Sequence, residues 1–505
     1  MGEGVSLMKK IIIIGGGIAG LTAGIYAQKF GYESVIYEGH HIVGGECTGW
    51  TREGFHIDNC IHWMTGTKKN TDLYDIWREI GAIDDDTEIL MSDSFYTSYA
   101  DGKKLKLYYD TEKTRRELIA ISPEDEKEIN NFIKAVRITQ KLQLPVDMPI
   151  DMMPKLKVAW LGLTMLKAMK PMKKYGAVTI GDYLKIFKSP AIRAFISDYM
   201  PLGFCVFALI ASYAIFSGNN GGIPKGGSVK MAARVAERYK SLGGKIYTSS
   251  RVSEINIENG HATGITLDDG TVVNSDYVVP TCDPSITFGK LMDKKYMPKE
   301  LKKRYDTMPV NTQFQVAFGV DDDCKFLDLC QYFDCEPFMI SDTEIRRIGI
   351  RNYNYEPSFA PEGKAVLQTY IWQKEEDYDY WEKLYKEDRE KYRNEKKRLS
   401  NEILKRIIKQ YPQLDGKIRV IDAYTPYTYN RYIGAYKGGY MNFVYNPDSV
   451  MEPMLTGIIE GVDNVLLGTQ WLQLPGGLPC AASCGKFAIQ RIDRIISKGK
   501  QKSEV

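Results

Sequence analysis

The chain has 505 residues, 44% apolar and 26% charged, a balance that fits a globular protein and, at this length, two or three domains. Its formal net charge of +3 is near neutral for its size and argues against the basic face that a nucleic-acid partner requires. Nine cysteines, an odd number without tight repeated spacing, point to free thiols in a reducing compartment and so to a cytoplasmic location.

Residues 1–7 read as a loose extension before a fold that starts at Met8. Lys9 and Lys10 before an apolar stretch look like a secretory signal, but the glycine turn that follows explains the stretch better, so no signal peptide is expected. Met1-Gly2 with Ser6 matches the myristoylation pattern, which is short enough to arise by chance. The β-branched run at 11–14 reads as a buried parallel strand. It stops at a glycine turn, and a helix continues through Leu21, Thr22, Ala23, Tyr26 and Ala27. Gly15, Gly17 and Gly20 fill a G-x-G-x-x-G pattern: Gly15 for the bend, Gly17 for backbone approach to a pyrophosphate, Gly20 for close helix packing. Ile18 and Ala19 open the helix, whose unpaired N–H groups and dipole face the phosphates. A second strand over 34–37 ends at Glu38, about 20 residues beyond the turn, where a carboxylate grips a ribose hydroxyl. Strand, turn, helix, strand and acid together predict dinucleotide binding. Glu38 suits the unphosphorylated ribose of FAD or NAD rather than NADP.

Over 155–172 lysines alternate with Leu156, Val158, Trp160, Leu163, Leu166 and other apolar residues. Such a basic amphipathic helix can lie in a membrane interface or form a face over an apolar tunnel. The apolar run 202–216 could wall the same tunnel, and no run reaches the roughly 18 residues of a spanning helix. Glycines at 222–227 lead into an amphipathic helix over 228–242. Strands are expected at 245–248, 251–257, 261–267, 271–273 and 277–280, with Asp268-Asp269-Gly270 as a hairpin turn. The stretch 374–409, dense in Glu, Lys, Arg and Tyr, predicts one long solvated helix with an inward aromatic stripe. Residues 464–469 predict another buried strand, followed by a proline-glycine turn at 475–479 and a helix from about 481 to 496. Cys480 and Cys484 lie one helical turn apart, as in a redox dithiol or half a metal site, although buried free cysteine is the commoner outcome. With no H-E-x-x-H and no paired C-x-x-C, no metal is expected.

Several separated motifs stand in order: Gly44-Gly45, Gly54-Phe55-His56-Ile57-Asp58, Pro224-Lys225-Gly226-Gly227, Arg251-Val252-Ser253-Glu254-Ile255, Thr425-Pro426, Asn430-Arg431-Tyr432, Gly434-Ala435-Tyr436, and the block from Gly468 to Gly485. Over nearly the whole chain they resemble the flavoprotein superfamily that includes amine oxidases, and more closely its phytoene/carotenoid desaturase and retinol saturase-like branch. The resemblance implies an α/β fold: a discontinuous, Rossmann-like FAD-binding domain of the glutathione reductase type (8–74, 225–299, 456–498) with an inserted α+β substrate domain (75–224, 300–455). It implies FAD as cofactor, held also by Gly45, Cys60, Ile61, the Val252 backbone at adenine, Gly468, and the Gly477-Leu478 turn beneath the flavin ring. Two positions depart from the pattern. Glu46 replaces an arginine that faces the pyrophosphate, so it is expected to turn away and leave its place to Thr48 or backbone N–H. Cys60 replaces a glycine beside the ring.

No catalytic residue beyond the flavin is implied. His62 and Trp63 align with ring-lining residues of related oxidases, His62 as a candidate for a substrate or flavin role, and Trp471 is a candidate for the ring's substrate side. The implied activity is FAD-dependent oxidoreduction of CH–CH or C=C bonds in an elongated apolar isoprenoid, carotenoid or retinoid-like substrate, by hydride transfer to or from flavin N5. The motifs leave the direction open, with Glu46 and Cys47 leaning to the saturase side. NAD(P)H, oxygen and a quinone are the candidate electron partners, and peripheral contact with the inner face of a membrane is an open alternative. Two other readings share the fold: a flavin amine oxidase with Tyr436 and Trp471 flanking the ring, and a non-catalytic prenyl-binding protein without flavin. Glu38, Val252 and Gly477 oppose the last.

Overall fold

β-Branched side chains suit a pleated strand better than a helix, and the first such run forms β1 (Lys10–Ile14), buried from Ile11 onward. The computed structural model describes residues 8–142 and 145–503; the extension over 1–7 and the Met1-Gly2 pattern lie outside the described residues. Helix α1 (Ile18–Lys29) and strand β2 (Glu33–Tyr37) follow β1. Then come the hairpin β3 (Ser94–Ala100) and β4 (Lys103–Tyr108), helix α2 (Lys155–Gly176) and helix α3 (Val206–Ser217). Helix α4 (Gly227–Ser241) precedes β5 (Lys245–Tyr247), β6 (Val252–Glu258), β7 (His261–Leu267), β8 (Val272–Asn274) and β9 (Tyr277–Pro280). The second half holds β10 (Thr312–Val320), β11 (Cys330–Ile340), β12 (Thr343–Asn352) and β13 (Ala365–Gln373). Helices α5 (Glu375–Glu387) and α6 (Arg389–Gln410), strand β14 (Ile418–Tyr424) and helix α7 (Gly477–Ser503) complete it.

A four-stranded parallel sheet runs in the order β5-β2-β1-β9. Helix α1 crosses over between β1 and β2 and is buried from Ile18 to Ala27, because α4 and α7 also pack on it. Glycines permit that approach. A Cβ at Gly24 would lie 2.7 Å from the Tyr239 ring of α4, and one at Gly485 of α7 would overlap the Ala19 carbonyl. Beside this sheet stands the antiparallel β6-β7-β8. A second, seven-stranded sheet runs β14-β10-β13-β12-β11-β3-β4; its β3 joins β11 in parallel while its other pairs are antiparallel. All its strands come from 94–108 and 312–424.

Three expectations change. Residues 464–469 run beside β9, with Leu466 N donating to Val278 O at 3.1 Å, but form only isolated bridges. The Asn464 side chain takes up the Ala262 and Asp276 backbone at the start of this stretch, and a 3₁₀ turn at Gln470–Leu472 ends it. The stretch 374–409 is two helices. Asp388 leaves helical geometry at φ −148°, ends α5, and caps α6 by accepting from Lys391 N at 2.8 Å; the buried stripe of Tyr378, Trp381 and Tyr392 is present. Helix α7 begins at Gly477 rather than near 481, since Pro479 in a first turn forfeits no intrahelical bond. The tunnel alternative for 155–172 also fails. On α2 Leu156 is 87% exposed, Trp160 63%, Leu163 68% and Leu166 62%, while Ala168, Pro171 and Tyr175 pin the far end.

Candidate active site

A cavity of about 1300 Å³ draws its walls from the turn after β1, the 44–65 segment, α3, the start of β6, the C-terminal parts of β12 and β13, and the turn before α7. It exceeds the ~1,000 Å³ of a large single-ligand pocket, leaving room for a cofactor and a second molecule.

At one end Gly15 takes φ +104°, a left-handed conformation that favours glycine. A Cβ at Gly17 would meet only Gly45 Cα, at 3.9 Å. Protein packing does not demand this glycine; what it leaves open is the cavity, a cradle suited to a pyrophosphate. The Glu38 carboxylate is fixed by Gly16 N and His40 N, each 2.7 Å from a separate oxygen. Each oxygen keeps a lone pair for a ribose hydroxyl. Arg251 packs over Gly39, and Val252 follows it on the wall. The His40 and Tyr432 rings stack at 4.1 Å nearby.

Ile18, Ala19, Gly45, Glu46 and Cys60 line the middle. Glu46 does not leave the cavity to Thr48, which is buried outside the lining. Burial and the neighbouring Asp283 push the Glu46 carboxyl up to about 8. A carboxyl so shifted is protonated at pH 7, which lowers its repulsion toward a phosphate placed beside it. Cys60 Sγ lies 3.6 Å from Cys47 Sγ, and this contact, with burial, raises its thiol well above the ordinary value.

At the far end Gly476 and Gly477, both at φ +81°, deliver the N-terminus of α7 with Leu478 and Pro479 onto the wall. The first turn of a helix presents unpaired N–H groups and positive dipole, as suits the N1–C2 edge of a flavin. Trp471 borders the cavity and packs on Tyr305 (5.6 Å, stacked) and Phe443 (5.0 Å). His62 Nδ1 lies 3.0 Å from the Tyr440 hydroxyl, while its Nε2 is buried without a partner. Burial and then Arg351 hold its pKa well below the histidine norm, so the ring is neutral. The Tyr440 contact couples the two rings' protons: Nε2 carries the imidazole proton where Tyr440 donates, Nδ1 where it accepts.

Gly20, Ile61 and Gly468 do not reach the cavity. A Cβ at Gly20 would overlap the Gly15 carbonyl, and one at Gly468 would lie 3.0 Å from Val279 Cγ1. Ile61 N donates to Ser228 Oγ at 2.9 Å, behind the wall. Tyr436 also lies outside the lining. The buried Asp58 accepts from both N and Oγ of Ser228 at 2.6 Å, which joins two of the separated motifs. Arg351, Tyr370 and Tyr440 were not anticipated, although a period of two along β12 would have set Arg351 on one face with Arg347. Cys480 and Cys484 are buried free thiols, Cys480 pushed up to about 12 by burial. No group of three or more His, Cys, Asp or Glu that could hold a metal occurs among the described residues.

Residues 18–429 match the family described as flavin containing amine oxidoreductase. The prolycopene isomerase of Daucus carota is 25% identical over 87% of this chain and 73% of its own length. The 4,4'-diapophytoene desaturase of Methylomonas sp is 25% identical over 64% of this chain and 62% of its own. The cyclohexylamine oxidase of Brevibacterium oxydans shares the fold, with a TM-score of 0.56 at 14% identity, covering 97% of this chain and all of that one. The chain belongs to the flavin-containing amine oxidoreductase family and is an FAD-dependent oxidoreductase of Rossmann-like α/β fold.

Proposed function

We propose that FAD lies with its ribose on Glu38, its adenine against Val252, its pyrophosphate over Gly17 and Gly45, and its ring at the N-terminus of α7, and that the substrate is an elongated apolar polyene of isoprenoid type. The observation that carries the reading is the arm lined by Phe207, Ala208, Ala211 and Ile215 of α3 with Met64, Met200 and Phe204, a dry wall rather than a set of acids and bases. Bound there, the flavin supplies two-electron hydride exchange with carbon. The α3 wall excludes water and holds the chain of the substrate, and the neutral His62 is held in place by its contact with Tyr440. The desaturase and isomerase named above support this class. The domain limits given at the outset follow the same division: the parallel sheet for FAD, the seven-stranded sheet and α3 for substrate.

Anaerobic mixing tests the reading. Phytoene bleaching the oxidised-flavin band marks desaturation, and lycopene restoring it in dithionite-reduced enzyme marks saturation. Bleaching by putrescine alone would promote the amine-oxidase reading, which the cationic Arg351 on the cavity wall opposes. Reoxidation or reduction by NAD(P)H, oxygen or a quinone, each offered separately, identifies the electron partner.

The same reading places α2 on a lipid surface. No described helix is long and apolar enough to cross a membrane. Yet α2 carries exposed Leu156, Trp160, Leu163 and Leu166 among lysines, with no acidic residue, the composition of an interfacial helix on anionic lipid. Trp160→Glu with Leu163→Glu should abolish co-sedimentation with phosphatidylglycerol vesicles and leave flavin content unchanged. Equal sedimentation of both proteins would remove the membrane assignment.

A further inference from the structure

Alternate residues of a strand share a face, and β12 sets Arg347 and Arg351 on one side. The charge of Arg347 is matched: Asp198 lies 2.6 Å from its Nε, and Asp334 pairs with its Nη1. Arg351 has no such match. Its Nη1 donates to the His62 carbonyl at 3.0 Å and its Nη2 reaches only Cys330 Sγ at 3.9 Å. Its Nε is buried and unpartnered, and no carboxylate among the described residues pairs with it. The ionisable groups around it include Cys330, Tyr353, Tyr370 and Tyr332, with His62, Tyr199, Tyr355 and Tyr440 also in its field, all neutral at pH 7. Tyr332, Tyr370 and the unpartnered Nε2 of His62 share its wall of the cavity.

A guanidinium stays charged in any protein setting, and one left dry and unpaired is strongly unfavourable. A hydrocarbon filling the arm would complete that desolvation. A carboxylate would relieve it by accepting from the Nη groups of the guanidinium, Nε itself being closed off by protein. We infer that Arg351 is a carboxylate-binding residue, so that the ligand this cavity takes is an elongated apolar acid rather than a pure hydrocarbon. The inference rests on the arm being the substrate site. One guanidinium among phenols, a thiol and a neutral imidazole balances a single negative charge, whereas a diphosphate would call for further cations.

The experiment titrates the holoenzyme with all-trans-retinoic acid and all-trans-retinol, matched in chain and differing in head group, by quenching of tryptophan fluorescence. Wild type should bind the acid ~10-fold or more tightly than the alcohol, the worth of a charged hydrogen-bonded pair. Arg351→Met should erase that preference while changing retinol affinity less than about twofold. Its melting temperature should fall by no more than the loss of one hydrogen bond, that to the His62 carbonyl, since no charged partner is orphaned; a purely structural arginine would lower it further. Should the Met variant lose flavin, Arg351→Lys decides, with the acid preference kept but weakened. Equal binding of acid and alcohol by wild type, or an undiminished preference in either variant, overturns the inference and leaves the apolar-substrate reading intact. A shifted flavin potential with unchanged acid binding assigns Arg351 to the cofactor and also overturns it. Binding of benzoate but of neither retinoid, lost in Arg351→Met, keeps the carboxylate site and removes the elongated substrate. No Arg351-dependent binding of any probe removes the carboxylate site, and silence of both retinoids removes the elongated substrate with it.

Discussion

Two residues of the cofactor cradle make opposite demands on a substitution. A Cβ at Gly17 has room among protein atoms, with Gly45 Cα at 3.9 Å, so Gly17→Val should fold and melt near the flavin-free wild type yet retain no flavin. Absorbance after gel filtration and a thermal melt check both halves. At Glu46 the readout is pH. Its folded pKa of about 8 stands above the ordinary 4.5, so between those values the folded chain holds a proton that the unfolded chain has released. Stability from this residue is therefore lost as pH rises across that window. A bound pyrophosphate pushes the same way, so FAD affinity should fall as pH passes about 8 in wild type and stay flat in Glu46→Gln. Parallel titrations of apoprotein with FAD test it. Glycine and acid were legible in the sequence because their motif is local, a single turn and the strand after it. The protonation of Glu46 was not legible, since it depends on Asp283, far along the chain, and neither was Arg351, whose meaning lies in a partner it lacks.

Two apolar-rich helices took different places, and the lysines of one separate them. α3 read as a wall of a tunnel, and α2 as either such a wall or a helix in a membrane interface. α3 has no charged residue from Val206 to Ser217 and is almost wholly buried, so it can pack on both sides. α2 interleaves lysines that must stay hydrated, which turns its apolar face outward with them. Phe207 of α3 is buried on the cavity wall. Phe207→Asp sets a carboxylate there that must lose water whenever substrate enters, at several kcal/mol. Turnover of a long polyene should collapse while the flavin spectrum barely changes. Undiminished turnover would mean the substrate runs elsewhere. The break at Asp388 was within reach of the sequence as an N-cap signal, but an unbroken charge pattern on both sides masked it.

Across the whole molecule, the cradle draws on residues 15–46, 251–252 and 469–481. A ligand bound to all three ties distant parts of one fold together and stabilises the native state by mass action, by about 2.7 kcal/mol at a hundredfold excess over Kd. Removing FAD by dialysis should lower the melting temperature of the main transition, and adding it back should restore it; identical melts would mean that the cofactor spans no more than a local loop. The order of the separated motifs made this discontinuous site legible. The seven-stranded sheet was not, because the pairing of β3 with β11 brings together segments with no shared signal in the sequence.

The turn before α7 has a consequence for synthesis. A chain emerging from a ribosome can pair β1 with β2 early, and the Gly15–Glu38 half of the cradle can form while translation continues. The helix N-terminus assigned to the flavin ring follows Gly476, the last of the three contributing segments to be made. A cofactor that needs all three segments therefore meets a complete cradle only after this last one is made, not while β1 and β2 first pair.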